Sequence, residues 1–250
     1  MITDPLFYAA AVPAVILLGL SKGGFSGISV LAVPLMTLVI SPVQAASITL
    51  PILLVQDAIS VWIFRRAWEG KSLAILLPSA LAGIVLGYLL AARVSSAAVE
   101  LAIGVVSIAF GVQQLLKQRH IDPQPLHASA AVGVACGVTA GFTSQIAHAG
   151  AVPFQLYMLP KRLERLVLVG TSALFFASVN WMKVPFYAAL GQFTRANLST
   201  SIALFPLAIA STVAGAVLVK RVSGERFYTV MYVLLVVVGI KLTWDGARAL

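Results

Sequence analysis

Almost the whole chain is a succession of apolar runs, each about as long as a bilayer is thick, joined by short basic loops. A helix needs about 20 apolar residues to cross the hydrocarbon core. These runs leave no stretch from which a soluble domain could be carved. Lipid offers the backbone no hydrogen-bond partner, so spanning segments outside a closed barrel must be helical. The expectation is a single all-α integral membrane unit whose surroundings are the lipid bilayer. Only 10% of residues are charged, against roughly a quarter in a soluble domain. The formal charge of +9 is no sign of nucleic-acid binding, because the basic residues lie in loops between apolar segments rather than in one patch.

Ten segments follow from the pattern. Leu6–Leu20 and Ile28–Ile40 flank a polar, glycine-rich break, Gly19-Leu-Ser-Lys-Gly-Gly-Phe-Ser-Gly-Ile-Ser29. Ala45–Phe64, Ser72–Ala92 and Ala97–Leu116 come next. The most polar stretch, Lys117–Pro125, links this half to another of the same layout. There, Leu126–Phe142 and Ala149–Leu159 flank a second break, Gly137 to Gly150 (GVTAGFTSQIAHAG). Leu166–Leu190, Leu198–Val219 and Phe227–Trp244 complete the chain. Met1–Asp4 carries no positive charge on its side chains, so Leu6–Leu20 reads as structure and not as a signal peptide. Trp62, Trp68 and Trp244 fall at segment ends, where an indole ring meets both lipid and water.

A broken pair followed by three long segments occurs twice, which reads as an internal duplication: a first repeat at 1–116, a linker at 117–125 and a second repeat at 126–250. Basic residues give the topology. If each broken pair enters and leaves on the same side, one side receives Arg65, Arg66, Lys71, Lys117, Arg119, Lys161, Arg162, Arg165, Lys220, Arg221 and Arg226. The other receives only Arg93, Arg195, Lys241 and Arg248. This satisfies the positive-inside rule, whereas one crossing per broken pair does not. The linker is then cytoplasmic and both termini are outside. Three net crossings per half is odd, so the second repeat is inverted relative to the first. Inverted repeats with broken helices are a recurring transporter design.

Two of the 17 basic residues remain outside this arrangement: Lys22 in the first break and Lys183 within Leu166–Leu190. A cation at membrane depth marks a functional site by default, and both lysines would attract an anion. Helices restarting near Ile28 and Ala149 would add free N–H groups. Gly23, Gly24, Gly27 and Gly150 would let a ligand approach the backbone. Ser26, Ser29, Thr143, Ser144 and Gln145 are donors suited to an oxyanion. Asn180, Lys183 and Tyr187 share one helix face, and Pro185 leaves the Trp181 carbonyl without its usual partner. Asp57 and His148 are the candidates for a coupling proton. The competing reading of Lys22 is a side chain reaching to the interface; that of Lys183 is a buried pair with Asp57. The single cysteine, Cys136, excludes an internal disulfide and a thiolate metal cluster. No cofactor is expected, and the sequence does not fix whether the chain assembles with copies of itself.

Gly24-Phe-Ser26-Gly27 with a distant His148 also has the layout of an intramembrane serine protease, which needs a histidine base beside its serine. That mechanism has no use for the two lysines or the duplication. An anion channel would use the lysines but needs a continuous pore. The residues resemble those of the TauE/SafE family of sulfite exporter-like permeases. The stretches that carry the likeness are Gly19 to Gly27 with Ala32-Val-Pro34-Leu, Gly141 to Gly150 with Pro153 and Leu156-Tyr-Met-Leu-Pro160, and Val169 to Phe176 with Asn180 and Lys183. The resemblance implies a carrier in the bacterial inner membrane, not an enzyme, for sulfite, sulfonates such as sulfoacetate, or related organic anions.

Overall fold

The computed structural model describes residues 1–23, 29, 32–90, 95–118, 129–147, 149–221 and 223–249. The described residues form ten α-helices and no strand: α1 (Pro5–Lys22), α2 (Ala32–Thr37), α3 (Pro42–Phe64), α4 (Gly70–Leu90), α5 (Ser96–Gln118), α6 (Ala130–Ala147), α7 (Ala151–Met158), α8 (Arg165–Ala189), α9 (Arg195–Arg221) and α10 (Gly224–Ala249). Each of the ten apolar segments thus holds one described helix. Six described helices are long and apolar enough to cross a membrane, and 101–113 and 130–146 are shorter apolar helical stretches.

Local signals set several boundaries. Asp4 caps α1 by accepting the Leu6 N–H at 2.9 Å, with Pro5 in the first turn. Ser41 caps α3 ahead of Pro42 through the Gln44 N–H at 3.3 Å. Proline fits a first turn because its missing N–H would have had no helical partner there. At the far end of α8, Gly191 takes φ +66°, a left-handed value that only glycine adopts without steric cost. Gly191 and Gln192 donate back to the Ala188 and Tyr187 carbonyls, which closes the helix.

The two breaks differ from the sequence reading. Both first arms are 18-residue helices, α1 reaching Lys22 and α6 reaching Ala147, and the second arms are short, with 6 and 8 residues. At helical rise, α1 is about 27 Å long and α2 only about 9 Å. The polar residues do not end the helices because their hydroxyls bond back onto the turn before. Ser21 donates to the Leu18 carbonyl at 2.6 Å, Thr139 to Ala135 at 2.7 Å and Thr143 to Thr139 at 2.7 Å. Such bonding satisfies a hydroxyl without leaving the helix.

The chain divides into two compact units, 1–68 with 169–221 and 69–168 with 222–250. In the first, α1, α2, α3 and α9 pack together around Phe7, Ala11, Val15 and Leu18 of α1, Met36 of α2, Ile48 and Ile52 of α3, and Leu204 of α9. The α1 residues recur every three to four positions and form one buried stripe. In the second unit, α4 lies along α6 and α10 along α5, and α7 packs on α5 and α6.

Small residues let these helices meet backbone to backbone, the usual means of helix association in lipid. Side chains added to Gly19 of α1 and to Gly23, which caps it, would collide with Ser211 and Gly215 of α9. Those added to Gly137 and Gly141 of α6 would collide with Ser79 and Ala80 of α4. Gly141→Val is therefore expected to cost about 1–3 kcal/mol, toward the upper end, because the Ala80 carbonyl is backbone and cannot rotate away. The loss is read as a lowered unfolding midpoint in a fixed detergent; an unchanged midpoint would mean that α4 and α6 are not in this contact.

Candidate functional site

The first unit contains a buried charged cluster assembled from three helices. Lys22 closes the last turn of α1, Asp57 lies inside α3, and Asn180 and Lys183 are one turn apart on α8. Lys22 Nζ forms an ion pair with Asp57 Oδ1, with side-chain exposures of 9% and 1%. Asn180 Nδ2 donates to the other carboxylate oxygen, Oδ2, at 2.7 Å. The Phe176 ring, one turn before Asn180, lies 5.8 Å from the Lys22 ammonium. A cation over an aromatic face within about 6 Å is attracted by the ring's quadrupole.

Lys183 is 1% exposed. Among the described residues its ammonium has no hydrogen-bond or ion-pair partner, and the charges that act on it are those of Asp57 and Lys22. The pairing is therefore not the one weighed from sequence: Asp57 is bonded to Lys22, and Lys183 is left over. A charge buried without a bonded partner is costly. Two ammonium groups and one carboxylate leave this cluster with a surplus of one positive charge.

Gln56, next to Asp57, is fully buried. Its Nε2 reaches the Val15 and Ala208 carbonyls at 3.4 and 3.5 Å. Its Oε1 has no hydrogen-bond partner among the described residues. Ser60 and Ser211 surround the same turns, donating to the Gln56 and Ala208 carbonyls at 2.9 and 3.1 Å. The polar groups next to Asp57 thus come from α3 and α9. The sequence signal for them was Gln56 adjoining a carboxylate inside an apolar segment.

The remaining candidates are distributed as follows. Tyr187 is buried on α8 among Ala46, Leu50, Val184 and Phe193, with its ring 6.4 Å from that of Phe193. Gly23 packs against the Gly215 backbone, which by itself accounts for a glycine there. Ser29 is half-buried. Thr143, Ser144, Gln145 and Gly150 belong to the second unit. Thr143 is bonded within α6, Ser144 faces Gly150, and Gln145 packs over Gly87 of α4. Gly24, Ser26, Gly27 and His148 lie outside the described residues, and with them both members of the serine–histidine pair. The helix following the first break begins at Ala32 and the one following the second at Ala151.

The second unit also holds a cavity of about 310 Å³ bordered by α5, α6 and α7. Its lining is apolar apart from Cys136 and Thr139 and contains no charged side chain, so it has nothing with which to hold an anion.

Neither a curated protein nor a solved structure matches the chain. The sequence model of the sulfite exporter TauE/SafE family matches residues 11–242, a span that takes in Lys22, Asp57, Asn180 and Lys183 alike. With helices of membrane-crossing length and that match over nearly its whole length, the chain belongs to the sulfite exporter TauE/SafE family, whose members are membrane transporters.

Proposed function

We propose that the protein is a secondary carrier that moves a small anion across the cytoplasmic membrane of a bacterium by alternating access. The anion is sulfite, a sulfonate such as sulfoacetate, or a related organic anion. The observation that carries this reading is the surplus cation of the buried cluster. Among the described residues Lys183 has no bonded counter-charge, and an arriving anion would supply one. Lys22, Asp57 and Asn180 form the rigid side of the site. Asp57 holds both neighbours in place, and the hydroxyl and amide groups nearby supply donors. A carrier of this kind uses no catalytic residue.

An inverted duplication is part of the proposal. Support comes from the small-residue seams. In one unit Gly19 of α1 and its capping Gly23 meet Ser211 and Gly215 of α9. In the other Gly137 and Gly141 of α6 meet α4 around Ser79 and Gly83. Residues four apart recur in both, and the two halves of the chain have exchanged roles. Movement of one helix bundle against another is the expected transport step. Proton coupling would involve Asp57 or His148.

The direct test is flux of labelled sulfite and sulfoacetate in proteoliposomes, with and without a pH gradient. Saturable flux of at least one of the two anions is expected, and a response to the gradient would bring in Asp57 and His148. Absence of flux for both and for related sulfonates would remove the carrier reading. Orientation has its own test. In a Cys136→Ala background, Asp122→Cys in the linker is expected to stay unlabelled by an impermeant thiol reagent added to intact cells and to react once the cells are opened. Labelling of intact cells would reverse the topology.

A further inference from the structure

We propose that the site takes a singly charged anion and discriminates against dianions, an inference that rests on the carrier reading above. The buried charges of the first unit leave a single surplus cation. Inside the described helices of that unit the charged side chains away from helix ends are Asp57 and Lys183, and Lys22 joins them from the last turn of α1. The remaining charges of these helices, such as Arg195, Lys220 and Arg221, lie in first or last turns.

The carboxylate is spent on its own neighbours. Its Oδ1 is paired with Lys22 and its Oδ2 accepts from Asn180 at 2.7 Å. The Lys22–Asp57 pair is neutral as a unit, so one ammonium, that of Lys183, remains. In a medium where each uncompensated charge is heavily penalised, the partner that neutralises the cluster carries one negative charge. A neutral molecule would leave the ammonium uncompensated. A dianion would leave a net negative charge near Asp57, whose carboxylate already acts on the Lys183 ammonium. The oxyanion class is therefore narrowed by valence. A monosulfonate, or sulfite in its singly protonated form, fits. Sulfoacetate in its fully ionised form, and sulfate, do not.

The test compares probes that share a tetrahedral sulfur head and differ by one charge. Methanesulfonate against sulfate is the small pair, and 2-hydroxyethanesulfonate against sulfoacetate is the larger one. Binding to the purified full-length protein is measured by calorimetry at one pH above neutrality and constant ionic strength. In each pair the monoanion is expected to bind at least tenfold more tightly. Equal affinities, or tighter binding of either dianion, would overturn the valence assignment while leaving an anion carrier in place. Failure of all four probes to bind, in protein whose unfolding transition is intact, would overturn the carrier reading and the valence assignment together. Asp57→Asn provides a second reading, since it removes one negative charge and keeps the side-chain shape. If that variant folds, the preference should move toward the dianion of each pair; an unchanged preference would count against the charge count.

Discussion

Asp57→Ala is expected to destabilise the protein by about 3–5 kcal/mol, the usual cost of removing one partner of a buried ion pair. Asp57 is among the most buried charged groups of the chain and holds two side chains at once. Its removal leaves the Lys22 ammonium, itself only 9% exposed, without a counter-charge. It also leaves the Asn180 amide without its acceptor, and brings a second uncompensated cation next to Lys183. Truncation of the side chain adds a cavity. The measurement is denaturant or thermal unfolding in a fixed detergent. Lys22→Met in the same chain should restore much of the loss, because the stranded charge is then gone. A double-mutant cycle over the two positions should give a clear coupling term. An Asp57→Ala variant as stable as the parent, or one that Lys22→Met worsens additively, would mean that the pair does not hold these helices together.

The second large effect concerns binding. Lys183→Ala is expected to weaken anion affinity at least tenfold, which corresponds to about 1.4 kcal/mol. Lys183 supplies the one positive charge that no described neighbour neutralises. A charge-assisted contact in a dry site is worth more than the same contact in water. The variant should also lose little stability, since removing a buried charge with no bonded partner offsets the cavity left by a fully buried side chain. Loss of affinity without loss of fold is therefore the signature. Lys161→Ala is a suitable control: that lysine belongs to the other unit, donates to Ser72 at 2.6 Å and lies 3.8 Å from Glu69. It should leave the affinity unchanged. Transport kinetics for Lys183→Ala that match the parent would sink the site assignment.

The sequence determined the helices and the chemistry available to them. Bilayer thickness limits the length of an apolar run, so ten runs became ten helices, and a lysine such as Lys183 inside a run could be recognised as exceptional without any fold. Proline and aspartate at Asp4-Pro5, and proline after Ser41, marked helix starts because caps are local chemistry. The extent of the breaks was less legible. Glycine and threonine between Gly137 and Gln145 suggest an interruption when read along the chain, but their hydroxyls return to the helix backbone and their missing side chains are filled by α4.

What only the tertiary structure decided is which charge meets which. Asp57 is 35 positions from Lys22 and 123 from Asn180, separations over which spacing carries no information once the chain has turned between helices. Either lysine could have paired with Asp57 on sequence grounds. The packing of α1 and α8 about α3 gave the carboxylate to Lys22 and Asn180, and left Lys183 buried outside both bonds. Periodicity acts within a helix, whereas the charge balance of a site depends on helices that only the fold brings together.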